Sequence, residues 1–375
     1  MSSTRNRLHA LCPYFAMFPE SFVEKQVRTY TLPRALVIDS FSGRGTTLLQ
    51  SLLMDRRALA SDLNPVAYCV SGAKAESPDS EAFLDRVRDL EEVHKTSSQE
   101  RFRDERAELP GFFRRAFYHS TLNQLLFLRA TLDWRHNAVD RFVAALILGI
   151  LHGERTGSKR YLSNQMPRTI SPKPGYSIKY WNEHALYPRK RDVFKGLRNE
   201  FAFRMAHGAP VGRGSVELSD SRKVGRAFPE HLGEVRHVVT SPPYLDVTHF
   251  EEDQWLRLWF LGYADRDTRG QISPDDRHQK PEHYWRFLEE SWAGLAPLLR
   301  DDAILVCRIG AKHYSKSELT RRVLRSIQKT FPDASLVAQP ERSQIRGRQT
   351  DAFRPGSKGV RFETDYAVSL GRAGV

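Results

Sequence analysis

The sequence predicts an open α/β sheet organised around two loops, each of which follows a strand-like run. Residues 35–39 form a short apolar, partly β-branched run suited to a buried parallel strand. Gly43 and Gly45 follow, and residues 46–54 read as the first turns of a helix. Strand, glycine turn and helix in that order make a ligand-binding corner of such a sheet. There the backbone approaches a ligand closely, and an acid at the strand end, here Asp39, can take a hydroxyl or an ammonium group. The loop has neither the lysine of a phosphate loop nor the third glycine of the dinucleotide fingerprint, so alone it names no cofactor. The second stretch is a strand over 236–240 that runs into Ser241-Pro-Pro-Tyr244.

Bulk properties narrow the class. A chain of 375 residues holds one large elaborated domain or two domains. Its hydrophobic content of 40% and charged content of 27% are those of a globular protein. A net charge of +13 favours a polyanionic partner, because attraction to phosphates supplies most non-specific affinity for nucleic acid. Cys12, Cys69 and Cys307 have neither disulfide nor zinc spacing, which predicts a reducing compartment. With no signal-peptide core, and with the apolar run 143–151 too short to span a bilayer, the expectation is a cytoplasmic protein without membrane contact.

The remaining elements follow in order. Residues 57–60 read as the second strand, leading to Asp62. An acid at that strand tip, about twenty residues past the glycine loop, is placed to hold both ribose hydroxyls of a nucleoside; the alternative is a helix N-cap before Pro65. Residues 77–108 are charged with helical periodicity, and 120–132 and 138–152 read as two apolar helices. The scattered histidines His119, His136 and His152 predict no metal site. Residues 155–204 are rich in basic groups (Arg160, Arg168, Lys179, Arg189, Lys190 and Arg191 among them) interleaved with tyrosines, Trp181 and prolines. That mixture suits a loop gripping phosphates and stacking on bases, with Asn164 and Gln165 able to read a base edge; the alternative is a solvated insertion. A short strand over 214–222, a helix over 282–299, a strand over 303–309, a helix over 317–330 and strands over 334–338 and 362–370 complete the chain. The basic loop 342–361, with Arg346 and Arg348, is a further candidate grip on a nucleic-acid backbone; the alternative is a loop that is simply mobile. The domain expectation is a catalytic domain in two parts, 1–78 and 214–375, interrupted by a helical insertion, 79–154, and the basic segment, 155–213.

Asp39-x-Phe41-x-Gly43-x-Gly45-Thr46-Thr47, taken with Thr240-Ser-Pro-Pro-Tyr244, resembles the S-adenosylmethionine-dependent DNA amino-methyltransferases, which make N4-methylcytosine or N6-methyladenine. The resemblance covers roughly residues 14–75 and 215–310. It implies a Rossmann-like class I methyltransferase fold: a seven-stranded, mostly parallel sheet with a reversed last strand, here carrying the helical and basic insertion. It implies that Asp39, Phe41, Gly43, Gly45, Thr46 and Thr47 form the cofactor loop for S-adenosylmethionine, with Asp62 as its ribose acid. Phe18 and Pro19 match an element that packs on the cofactor's adenine, although an apolar strap over the sheet explains them equally. Asp220 matches an acid near the adenine amino group, with a plain turn aspartate as the alternative.

The same resemblance makes Ser241, Pro242, Pro243 and Tyr244 the catalytic loop. Methyl transfer to an exocyclic amine needs the nitrogen lone pair turned out of the ring. The Ser241 side chain and the Pro242 carbonyl can hold the amine protons, the prolines stiffen the loop, and Tyr244 offers a ring face to a flipped base. Ser at the first position accompanies cytosine N4 in this family more often than adenine N6. The expectation is therefore a site-specific DNA methyltransferase acting on cytosine N4 by direct in-line transfer. Adenine N6, an RNA base amine and a non-catalytic nucleic-acid binder on the same fold are the alternatives. A 5-methylcytosine enzyme is disfavoured because no cysteine follows the prolines. Double-stranded DNA is the expected partner of a monomer, and a companion restriction endonuclease for the same site is a further candidate. One feature departs from the family: the insertion precedes the third strand, so either 214–222 is no strand or the recognition segment is unusually placed.

Overall fold

The computed structural model describes residues 5–14, 18–97, 99–153, 160–165, 173–245, 250–263, 280–311, 314–345, 360 and 362–371. The chain divides into two compact units. One gathers the described residues of Ala16–Ser71, Pro210–Thr248 and Ser273–Val375, and the other those of Met1–Phe15, Gly72–Ala209 and His249–Ile272.

Among the described residues, the first unit is built on eight strands: β1 (Leu36–Asp39), β2 (Arg57–Asp62), β3 (Gly214–Leu218), β4 (Val235–Thr240), β5 (Leu299–Gly310), β6 (Ser335–Leu336), β7 (Glu341–Gln344) and β8 (Phe362–Ser369). They lie in the order β3-β2-β1-β4-β5-β8-β6, with β7 also on β8. The first five positions are parallel, and β8 runs antiparallel to β5. β6 and β7 share the free edge of β8, β6 pairing with Val368 and Ser369 and β7 with Phe362, Glu363, Thr364 and Asp365. They occupy a single position in the sheet, divided at 337–340 where Pro340 lacks an amide donor. Seven positions thus carry eight strands, and the class I methyltransferase arrangement with its reversed last strand holds. The doubt over the third strand is also removed, since β3 pairs with β2 in parallel from Ala58↔Gly214 to Asp62↔Leu218.

Alternation along the strands separates two cores. Leu36, Ile38, Val238, Leu305 and Cys307 face one side, where the helices Pro281–Leu295 and Lys316–Gln328 cover them with Tyr284, Leu288, Trp292, Leu319, Val323 and Ile327. Val37, Val239 and Val306 face the other, where the helix Glu20–Tyr30 supplies Phe22, Val23 and Val27. A strand buried on both faces reads as a continuous apolar run, which is why β1 was legible from residues 35–39. Each fully buried side chain of this size contributes about 1.5–3 kcal/mol.

The second unit is helical among its described residues. Its helices include Ser80–Thr96, His119–Thr131, Ala138–Ile150, Pro174–Glu183, Val193–Arg204 and Phe250–Phe260. Phe83 stacks on Phe201 with centroids 4.0 Å apart, and Phe142 meets Phe83 edge-on at 6.0 Å. Asp140, buried at the start of its helix, accepts both hydrogen bonds of Arg86, at 2.7 and 3.0 Å. Two of these helices lie inside the stretch expected to be a loop. Pro174 opens one at its first turn, a position where a missing amide costs nothing, and Asp192 caps the other by accepting from Lys195 N.

Candidate active site

β1 and β4 are neighbours, and the strand order departs in opposite directions from them. Ligands of open α/β sheets bind at such a switch point, beyond the carboxyl ends of the strands. Both loops singled out by sequence leave from that edge, 40–45 after β1 and 241–244 after β4. The glycines are required by geometry. Gly43 and Gly45 take φ of 50° and 73°, and a Cβ on Gly45 would stand 2.7 Å from Ser71 Oγ. The turn is closed by Gly45 N donating to Ser42 O at 2.7 Å and by Ser71 Oγ donating to Gly43 O at 3.1 Å.

The two acids of this corner have different work. Asp39 is buried, and its Oδ1 accepts from Thr240 Oγ1 at 2.6 Å and from Phe41 N at 3.1 Å. Thr47 adds a second tie by donating to Val239 O at 3.0 Å. Asp39 therefore joins the two loops, a role its expected place in the cofactor loop did not foresee. Asp62 is only partly buried; Oδ2 accepts from Gly43 N at 2.8 Å and Oδ1 from Asn64 N at 2.9 Å. Each oxygen keeps a further lone pair. Withdrawal from water pushes both carboxyls up to about 6, against the hydrogen bonds that favour the ionised form.

In the second loop, Ser241 Oγ donates to Arg308 O at 3.0 Å, which spends its proton and leaves its lone pairs to accept. That is the state a holder of amine protons needs. Tyr244 is less open than expected. Its exposure is 8%, its ring lies against Gly310, where a Cβ would meet it at 2.8 Å, and its hydroxyl donates to Glu363 Oε1 at 2.9 Å. Sequence reasoning missed what stands behind it. Arg308 of β5 makes a two-bond pair with Asp365 of β8, at 2.6 and 2.9 Å, reaches Glu363 at 3.5 Å, and lies over the Phe22 ring at 4.1 Å. The available signal was an arginine inside the otherwise apolar run 303–309, with acids at alternate positions of the last strand.

The other expected residues divide. Phe18 is buried against Phe22, centroids 5.3 Å apart, as the apolar strap has it, and Pro19 stands exposed at the N-cap position of the helix Glu20–Tyr30. Phe41 meets Phe287 edge-on at 5.7 Å. Thr46 is buried in the first turn of its helix. Asp220 follows β3 but accepts from Arg222 N at 3.0 Å and binds the Arg222 guanidinium at 2.6 Å, which is the turn-aspartate alternative.

The helical unit requires a correction. Asn164, expected to read a base edge, is buried; its amide donates to Arg115 O and Leu186 O at 3.3 and 3.2 Å, and its Oδ1 accepts from Gln165 N. Those bonds serve the last turn of the helix Gly111–Ala116 and two irregular stretches, at Leu186 and Gln165. Arg160 is paired with Glu200, which Arg204 also binds at 2.7 Å. Gln165 accepts at its carbonyl from the Trp181 indole at 3.1 Å. Tyr180 and Trp181 are core residues, whereas Tyr176 and Tyr187 are exposed. Lys179 is exposed beside Glu183 at 3.8 Å; Arg189 and Lys190 are exposed; Arg191 is half-buried, its backbone bonded to Thr121. Arg168, Arg346 and Arg348 lie outside the described residues.

Residues 2–70, which contain the glycine loop and Asp62, match the family model described as DNA methylase, as the resemblance implied. No curated protein matches the chain. Among solved structures, TrmN from Thermus thermophilus is similar at 12% identity and a TM-score of 0.35, covering 97% of this chain and 52% of that one. The rRNA methyltransferase aviRa from Streptomyces viridochromogenes is similar at 12% identity and 0.35, over 97% and 90%. The 16S rRNA (adenine(1408)-N(1))-methyltransferase from Catenulisporales acidiphilia is similar at 10% identity and 0.30, over 96% of both chains. Likeness at this level says nothing of substrate. The family match and the loop geometry agree on S-adenosylmethionine as the cofactor. The donor set fits it: a left-handed glycine turn and, beside it, a partly exposed carboxylate with unused lone pairs. No group of three or more His, Cys, Asp or Glu side chains among the described residues could hold a metal, and no helix there is long and apolar enough to cross a membrane.

Proposed function

We propose that the chain is an S-adenosylmethionine-dependent methyltransferase acting on an exocyclic base amine of DNA, with cytosine N4 the favoured position. One observation carries the reading: the Ser241-Pro-Pro-Tyr244 loop lies at the sheet's switch point, bound to the glycine loop through Thr240 and Asp39 at 2.6 Å. When bound, the cofactor supplies an electrophilic methyl group on sulfur. Asp62 holds the ribose hydroxyls, and the 43–45 turn lets the cofactor approach the backbone. Ser241 Oγ, its own proton engaged by Arg308 O, accepts a proton of the target amine, and the Pro242 carbonyl accepts the other. Held so, the amine points its lone pair out of the ring plane toward the methyl. Ser at this position supports cytosine, as it does in the family the loop resembles. The exposed Arg189, Lys190, Tyr176 and Tyr187 supply phosphate and stacking contacts.

The test is transfer of a labelled methyl group by the purified protein to duplex DNA and to structured RNA, followed by nucleoside analysis. N4-methylcytosine in the duplex is the expected product. N6-methyladenine would correct the base, label confined to RNA would correct the polymer, and no transfer to either would overturn the reading. A companion endonuclease sharing the site belongs to the same proposal, and the target sequence follows from sequencing modified bases in DNA from cells that express the protein.

A further inference from the structure

We propose that Glu363 of β8 is the terminal acceptor for the proton released by the methylated amine, reached through Ser241 and Tyr244. This rests on the function proposed above and adds a proton path to it. Gaining a methyl leaves the amine nitrogen with a positive charge and one proton too many, so the N–H bond must break and the proton must go to a base. The catalytic loop itself, Ser-Pro-Pro-Tyr, contains none.

The structure provides a line of oxygens that ends in one. Ser241 Oγ lies 3.5 Å from Tyr244 Oη, and Tyr244 Oη lies 2.9 Å from Glu363 Oε1. Transfer along the line is balanced. The amine gives its proton to Ser241 Oγ, Ser241 passes its own to Tyr244 Oη, and Tyr244 passes its own to the Glu363 carboxylate. Both hydroxyls end as they began, nitrogen becomes neutral and Glu363 becomes a neutral acid. The longer step, 3.5 Å from Ser241 to Tyr244, is the one the Ser241 proton makes once its hydroxyl turns from Arg308 O toward Tyr244.

The surroundings suit an acceptor. Burial raises the Glu363 carboxyl above its ordinary value, and burial together with the adjacent Glu363 charge holds the Tyr244 hydroxyl far above its own, so Tyr244 conducts and does not ionise. The charged groups around Glu363 are Arg308 on β5 and Asp365 on its own strand. On β7, Arg342 adjoins Ser343, the pairing partner of Glu363, and Glu341 stands one residue further, opposite Asp365, where Lys25 on the helix Glu20–Tyr30 pairs with it. Arg308 is already neutralised by Asp365 through two bonds, so it steadies Glu363 without holding it fully ionised.

Glu363→Gln keeps the shape and a hydrogen-bonding partner for Tyr244 but cannot take the proton; Tyr244→Phe keeps the ring and cuts the line. Single-turnover methylation is measured for wild type, both variants and Glu363→Asp across pH 5–9, a range about the ordinary values of these groups, with cofactor affinity by calorimetry. Both line-breaking variants are expected to lose on the order of 100-fold in rate, as for loss of a general base, and to regain rate as hydroxide rises. Cofactor affinity should stay unchanged, and Glu363→Asp should recover part of the rate. In the ligand-free protein, infrared titration should show a carboxyl band above the ordinary glutamate range that Glu363→Gln removes. Wild-type rate and pH profile in Glu363→Gln would overturn the relay, as would absence of that band. If wild type itself methylates no nucleic acid, it is the proposed function that fails, and the relay falls with it.

Discussion

The corner at β1 and β4 and the basic stretch 155–204 were both marked by sequence, and the structure treats them differently. In the corner, both motifs leave the same sheet edge after β1 and β4, joined by Thr240 donating to Asp39 at 2.6 Å. In the basic stretch the selected side chains divide between core and surface. Asn164 and Trp181 are buried, Arg160 is paired with Glu200, and Arg189, Lys190 and Tyr187 face outward. A motif whose meaning is backbone conformation at fixed spacing survives folding. A composition signal says how many groups favour nucleic acid, and leaves open which of them reach the surface.

The largest effect should come from the corner. Ser241→Ala leaves Pro242, Pro243 and Tyr244 in place and removes one acceptor that acts as charge develops on nitrogen. Turnover should drop on the order of 100-fold with near-normal DNA and cofactor affinity. A wild-type rate would assign the orientation of the amine to the Pro242 carbonyl alone and would overturn the proton path through Ser241. Asp62→Ala should weaken S-adenosylmethionine binding by about 1.5–3 kcal/mol, measured calorimetrically. The pH dependence has a definite sign. With its carboxyl raised to about 6, Asp62 is a weaker acceptor below that pH, so wild-type affinity should rise through pH 6 and level off above it. In Asp62→Asn that rise should disappear. Unchanged affinity in Asp62→Ala would leave the residue as a brace for Gly43 and Asn64 only.

Asn164→Ala tests the other half of the comparison. Loss of its bonds to Arg115, Leu186 and Gln165 should cost about 1–3 kcal/mol of unfolding free energy in denaturant titration and leave sequence preference unaltered. A change of preferred site with stability intact would restore it as a base reader. The smallest effect is expected from Arg189→Gln with Lys190→Gln. DNA binding should weaken evenly across sequences, and its dependence on log salt should flatten by roughly 0.9 per lost phosphate contact. An unchanged slope would make the exposed basic groups a solvated surface.

A separate pH effect belongs to the sheet. His237, in β4, is buried and its imidazole is pushed down to about 4. The folded state keeps it neutral while an unfolded chain protonates it near the ordinary value of about 6.5, so stability should fall as pH drops from there toward 4. Equilibrium unfolding of wild type and His237→Leu across that range would show the acid loss in the first and its reduction in the second.

What could be read from residues alone was whatever depends on near neighbours in the chain. The apolar run of β1, the left-handed requirement at Gly43 and Gly45, the acid at the tip of β2 and the rigid Ser-Pro-Pro-Tyr turn each carry their meaning within a few positions. The parallel sheet with its reversed last strand followed once those pieces were joined by family likeness. The rest depends on residues far apart in sequence. Asp39 became a tie between loops because Thr240, 201 positions later, is its hydrogen-bond partner. Glu363 reached the catalytic loop because β8 lies antiparallel to β5, with Arg308 opposite Asp365 in the register. Asn164 turned inward because a helix end at Arg115 and the irregular stretches at Leu186 and Gln165 had carbonyls and an amide to satisfy, and a buried polar group left unbonded costs more than an exposed one gains. Spacing cannot announce such pairings, since they arise only when packing brings distant strands and loops within a hydrogen bond of each other.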